Sequence, residues 1–78
     1  MKAVTHANQI GATLTARRKE LDLSQTDVAK RLGLSQNRLS ELETRPETMT
    51  AEQLLALLNV LGLEMALGVR ASNPKSEW

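Results

Sequence analysis

A chain of 78 residues without cysteine is one domain at most, and neither a disulfide nor a thiolate metal site supports its small core. No apolar run approaches the ~18 residues a membrane span needs, and Met1-Lys2-Ala3-Val4-Thr5-His6 lacks the apolar stretch of a signal peptide, so a soluble cytoplasmic protein is expected. The formal net charge of +1 conceals an asymmetry: residues 1–45 hold eight Lys and Arg against five Asp and Glu, and residues 46–78 hold two against four, a basic front that suits a polyanion and an acidic back that suits a different partner.

The first periodic segment runs from Ala7 to Leu21, where Ile10, Leu14, Arg18 and Leu21 share one helical face. His6 just before it reads as a solvated residue, not a metal ligand. Ser24 is a good N-cap for a helix over Gln25 to Leu32, with Val28, Ala29 and Leu32 facing inward and Gly33 ending it. Ser35 caps a third short helix over Gln36 to Glu43, whose apolar residues are Leu39 and Leu42, and Pro46 forces a stop soon after. Thr50 and Gln53 match a capping box for a fourth helix to about Leu61, which is nearly all apolar. Leu63, Met65, Leu67 and Val69 then alternate with other residues, and this period of two predicts a strand. A lone strand leaves its backbone groups unpaired, so its expected partner is the same strand of a second copy, antiparallel across a two-fold axis. Leu57, Leu61, Leu63, Met65, Leu67 and Val69 are the expected dimer interface. Residues 1–70 are expected to form the domain and residues 71–78 a flexible tail.

The stretch Ser24 to Glu43 places two short helices about a glycine turn, with a longer helix before them. This is the helix-turn-helix arrangement, in which the second helix enters the DNA major groove. On that helix Leu39 and Leu42 mark the buried face. Asn37, Ser40 and Thr44 point the other way, with Gln36 and Arg38 at the borders. Gln and Asn can bind adenine bidentately and Arg can do so to guanine, so Gln36, Asn37, Arg38 and Ser40 are the candidate base readers. Gln25 and Thr26 lie in the first turn of the preceding helix, where free N–H groups suit phosphate. Ser24, Ser35 and Arg45 complete the expected phosphate set. With no Cys, one His, no phosphate-cradling Gly loop and no pair of carboxylates in a plausible pocket, no enzyme and no cofactor is expected.

Ile10-Gly11-Ala12 through Arg18, then Leu23-Ser24-Gln25, Val28-Ala29, Leu32-Gly33-Leu34-Ser35, Leu39-Ser40 and Leu42-Glu43 resemble the Xre/Cro family. The resemblance covers about residues 10–62. It implies a mostly α, lambda-repressor-like bundle of four helices, here with the C-terminal strand of an intermolecular two-stranded sheet. It also implies a structural ion pair between Arg18 and Glu43. Thr44-Arg45-Pro46-Glu47-Thr48, the apolar helix and strand after it, and the terminal Glu77-Trp78 resemble HipB-type antitoxins. That narrower resemblance implies a homodimer on a palindromic double-stranded DNA operator, repression of its own operon, and a HipA-like kinase toxin as partner, with Trp78 as the toxin contact. Three positions depart from the family pattern: Arg17, which faces phosphate or solvent; Glu41, whose carboxylate repels phosphate but could accept from cytosine N4; and Arg38, where a small hydroxyl residue is usual.

Two other readings fit the residues. One is a stand-alone Xre-type regulator of a phage or restriction system, in which Trp78 is inert. The other is an interaction module that has lost DNA binding, which Glu41 favours.

Overall fold

The computed structural model describes residues 3–69 and contains four α-helices: α1 Ala7–Glu20, α2 Gln25–Leu32, α3 Gln36–Thr44 and α4 Ala51–Leu61. A 3-10 turn, Pro46–Thr48, separates the last two. The starts follow from short polar side chains. Ser24 Oγ accepts from the Asp27 N–H and the Asp27 carboxylate accepts from the Ser24 N–H. Ser35 Oγ accepts from the Arg38 N–H, and Thr50 and Gln53 cap each other reciprocally. Each of these bonds satisfies a first-turn donor that no helical carbonyl can reach.

Three helices end by one device. Asp22, Gly33 and Gly62 each adopt positive φ, at 56°, 69° and 68°. In each case the following leucine donates its N–H back across the last turn: Leu23 to Arg18, Leu34 to Ala29 and Leu63 to Leu58, at 3.1, 2.8 and 2.8 Å. The left-handed residue reverses the chain and satisfies carbonyls that the helix leaves free. It also turns Leu23, Leu34 and Leu63 back onto the core.

That core is Leu14 of α1, Val28 and Ala29 of α2, Leu39 of α3, and Leu57 and Leu61 of α4. Leu42 is buried as well, at 0 % exposure. Leu57 and Leu61, expected at a dimer interface, are each only 1 % exposed within the single chain. The apolar stripe of α4 is consumed by α1 and α2, so these two leucines have no surface left for a second copy. Leu21, expected on the inner face of α1, lies beyond its last turn and is exposed.

The alternating segment Leu63–Val69 has no regular secondary structure, and no strand occurs among the described residues. Leu63 packs on the core, while Met65, Leu67 and Val69 are 49 %, 93 % and 89 % exposed. No helix among the described residues is long and apolar enough to cross a membrane. The tail 71–78, with Trp78, lies outside the described residues.

Candidate nucleic-acid interface

Helices α2 and α3 meet through buried Val28, Ala29 and Leu39, and their amino ends come together at the surface. Gln36 Nε2 donates to Gln25 Oε1 at 2.8 Å. Gln36 and Asn37 are exposed at the start of α3, and Ser40 is half-buried one turn on. Thr44, at the end of the same helix, is exposed, and its hydroxyl donates to the Ser40 carbonyl at 3.0 Å. Ser24, Thr26, Ser35 and Arg45 are all exposed. Lys30, Arg31 and Arg45 form no ion pair with another of the described residues, which leaves their charge available to a polyanion.

Beneath the two glutamines lies an ion pair. Arg18 Nε donates to Glu43 Oε2 at 2.7 Å and Arg18 Nη2 to Glu43 Oε1 at 3.3 Å. The two side chains are 10 % and 5 % exposed. Burying two charges is costly unless every remaining donor and acceptor is met. Here Arg18 Nη1 donates to the Leu23 carbonyl, and Gln25 Nε2 donates to Glu43 Oε1. No buried side-chain polar atom among the described residues lacks a partner. Burial is the largest single influence on the Glu43 carboxyl and pushes its pKa up. The hydrogen bonds from Arg18 and Gln25, the Arg18 charge and Thr15 together outweigh it, and the carboxyl is held below the ordinary glutamate value. Glu43 is therefore a carboxylate at neutral pH.

Two expected site residues stand elsewhere. Arg38, expected among the base readers, turns away from Gln36 and Asn37. It donates to Glu41 Oε1, to the Thr48 carbonyl at 3.2 Å and to Gln53 Oε1 at 3.5 Å. Its guanidinium ties α3 to the 3-10 turn and the start of α4, so in the free chain it is engaged away from the other candidate readers. The same contact pairs Glu41 with a cation, which removes the carboxylate's objection to nearby phosphate. Gln25, expected to hold phosphate, has its amide engaged on both sides, by Glu43 and by Gln36. What the first turn of α2 offers outward is its free backbone N–H groups and the Thr26 hydroxyl.

Arg17, with 34 % of its side chain exposed, is engaged within the chain. Its Nε donates to the Leu61 carbonyl at 2.9 Å and its Nη1 to Glu20 at 3.1 Å, so it closes the carboxyl end of α4. Gly11 is a further positioning residue that sequence reasoning missed. A Cβ there would overlap the Glu43 carbonyl oxygen and lie 3.3 Å from Pro46 Cγ. A glycine inside a helix, where alanine is better by ~1 kcal/mol, was the available signal.

Two short helices about Gly33, locked to a preceding helix by a buried ion pair, define a helix-turn-helix unit. The family model described as Helix-turn-helix matches residues 14–67, and the chain belongs to that family, whose helix pair is a DNA-binding element. The chain is also 38 % identical over 55 residues to the ImmF control region 10 kDa protein of Bacillus phage phi105. The aligned stretch covers 67 % of this chain and 61 % of that relative, so the chain spans about three fifths of the relative's length.

Proposed function

We propose that this chain is a sequence-specific transcriptional repressor that binds a palindromic operator as a dimer. Gln36, Asn37 and Ser40 read bases in the major groove. Ser24, Gln25 (through its backbone), Thr26, Ser35 and Arg45 hold the flanking phosphates. The observation that carries the reading is the exposed amide pair Gln36 and Asn37 at the amino end of α3, with Gln36 braced from beneath by Gln25 and, through it, by Glu43. Exposed amides so placed can form the two-point contact that distinguishes adenine. Binding by the 78-residue chain to the DNA upstream of its own gene, compared with a scrambled duplex at moderate salt, tests it. Equal affinity for the two would refute sequence-specific recognition.

Dimerisation rests on Leu63, Met65, Leu67 and Val69. The last three present an alternating apolar edge to solvent in the single chain, and pairing with a second copy would cover that edge and satisfy its backbone. Leu67→Lys places a charge in that edge and is expected to shift the sedimenting species from dimer to monomer. An unchanged dimer would rule the edge out.

The phage control-region relative favours a stand-alone regulator. A second reading, an antitoxin that also represses its operon with a HipA-like kinase toxin, rests on the HipB-like residues Thr44–Thr48 and Glu77-Trp78. Co-purification with the product of the adjacent gene separates the two. Loss of such a complex on removing Ser76 to Trp78 would support Trp78 as the toxin contact, and a complex of unchanged strength would exclude it.

A further inference from the structure

Four side chains run in one hydrogen-bonded line from the core to the proposed DNA face. Arg18 donates to Glu43, Gln25 Nε2 donates to Glu43 Oε1 at 3.0 Å, and Gln36 Nε2 donates to Gln25 Oε1 at 2.8 Å. The direction of donation along this line is dictated from its buried end. A carboxylate has no proton to give, so Gln25 must turn its NH2 group to Glu43. That turns the Gln25 carbonyl toward Gln36, and Gln36 must in turn point its NH2 group inward. What Gln36 has left to offer is its carbonyl oxygen and one N–H, an acceptor beside a donor. Adenine presents the complement in the major groove, the N6 amino group beside N7. Guanine presents two acceptors, O6 and N7.

We propose that Glu43 is a positioning residue for base recognition: acting through Gln25, its carboxylate fixes the amide orientation of Gln36 and so selects adenine over guanine at the base Gln36 faces. The proposal rests on Gln36 being a reader, as argued above. A purely structural role for the ion pair, tying α1 to α3, would make no demand on which base is chosen.

Glu43→Gln separates the two roles. Either orientation of the new amide sets its NH2 group against an Arg18 donor, and the oxygen is expected on Arg18 Nε, the closer contact at 2.7 Å, with the NH2 group opposite Arg18 Nη2 at the longer 3.3 Å. Its NH2 group then faces Gln25, both downstream amides turn over, and Gln36 presents two N–H donors outward. The experiment selects duplexes from a pool with a randomised central stretch, using the full chain as wild type, Glu43→Gln, Gln25→Met and Gln36→Ala, and sequences what each retains. Wild type is expected to prefer adenine over guanine at one position of each half-site by roughly five- to a hundredfold. Gln36→Ala removes that preference, and Gln25→Met, which leaves Arg18 and Glu43 paired, weakens it. Glu43→Gln moves it toward guanine. The relay is overturned if Gln36→Ala abolishes the adenine preference while Glu43→Gln leaves it intact and only weakens binding to all sequences alike. If Gln36→Ala alters no position, the reader assignment itself fails and the relay with it. Should Glu43→Gln not fold, Gln25→Met decides: a weakened adenine preference supports the relay, and an unchanged one overturns it.

Discussion

Gly11 in α1 lies directly against the backbone carbonyl of Glu43 in α3, so closely that a Cβ on Gly11 would overlap the carbonyl oxygen. The contact lets the two helices approach near enough for the neighbouring Arg18 and Glu43 side chains to pair within their bonding range. Gly11→Ala is therefore expected to destabilise the fold, although alanine is the better helix former by ~1 kcal/mol. The atom in the way is backbone, which cannot swing aside, and overpacking of this kind costs about 1–3 kcal/mol. Urea or thermal unfolding measures the balance. A variant more stable than wild type would mean that α1 and α3 are not in this contact.

Asp22 ends α1 at φ 56°, where Gly33 and Gly62 end α2 and α4. Its side chain is exposed and makes no hydrogen bond to another described residue, so nothing visible offsets the strain of a left-handed aspartate. Asp22→Gly is expected to stabilise the protein by roughly 0.5 kcal/mol, the relief being partly offset by the greater freedom of glycine in the unfolded chain. For a domain of this size that is a rise of about 2–4 °C in Tm. A fall in Tm would show that the Asp22 side chain contributes something its surroundings do not reveal.

The same three helix ends show how far the sequence could be read. Gly33 was identifiable as a terminator because glycine stands just past a short amphipathic run. Asp22 was not, because aspartate reaches positive φ only when its surroundings require it. The caps at Ser24, Ser35 and Thr50 were readable for a comparable reason: each rests on a local bond within four residues. The dispositions of Arg17, Arg38 and Gln25 were not, since each depends on a partner 10 to 44 residues away. An exposed-looking arginine on a helical wheel carries no sign of which distant carbonyl it will meet. Nor does sequence distinguish the burial of Leu57 and Leu61 in their own chain from burial in a dimer, because an apolar helix looks the same whether it buries its stripe against its own chain or against a copy.

Glu43 makes the fold sensitive to acid. Its carboxyl is held below the ordinary value of 4.5 in the folded chain. Above that ordinary value both folded and unfolded forms are ionised and the full stabilisation is present. As the pH falls through the interval below it, the unfolded chain takes up the proton first and stability is lost. Asp27, lowered by its hydrogen bonds to the Ser24 backbone and side chain, adds to the loss in the same acidic range. Glu43→Gln is expected to be less stable at neutral pH and to lose less on acidification. Urea midpoints across a pH series would show the two curves converging in acid, and parallel curves would disprove the role assigned to Glu43.

Arg17 distinguishes a structural cation from one that holds DNA. Its guanidinium meets the Leu61 carbonyl, one of the acceptors that the end of α4 leaves free, and sits where the negative end of the helix dipole favours a positive charge. Arg17→Met keeps most of the aliphatic packing and removes the donor, at an expected cost of about 1 kcal/mol. The salt dependence of DNA binding should not change. A lost phosphate contact would instead reduce the slope of log affinity against log salt by about one, as expected for Arg45→Ala. Measuring both slopes decides the matter: if Arg17→Met lowers its slope as Arg45→Ala does, Arg17 leaves α4 to bind phosphate when DNA is present, and the closure of α4 belongs to the free protein alone.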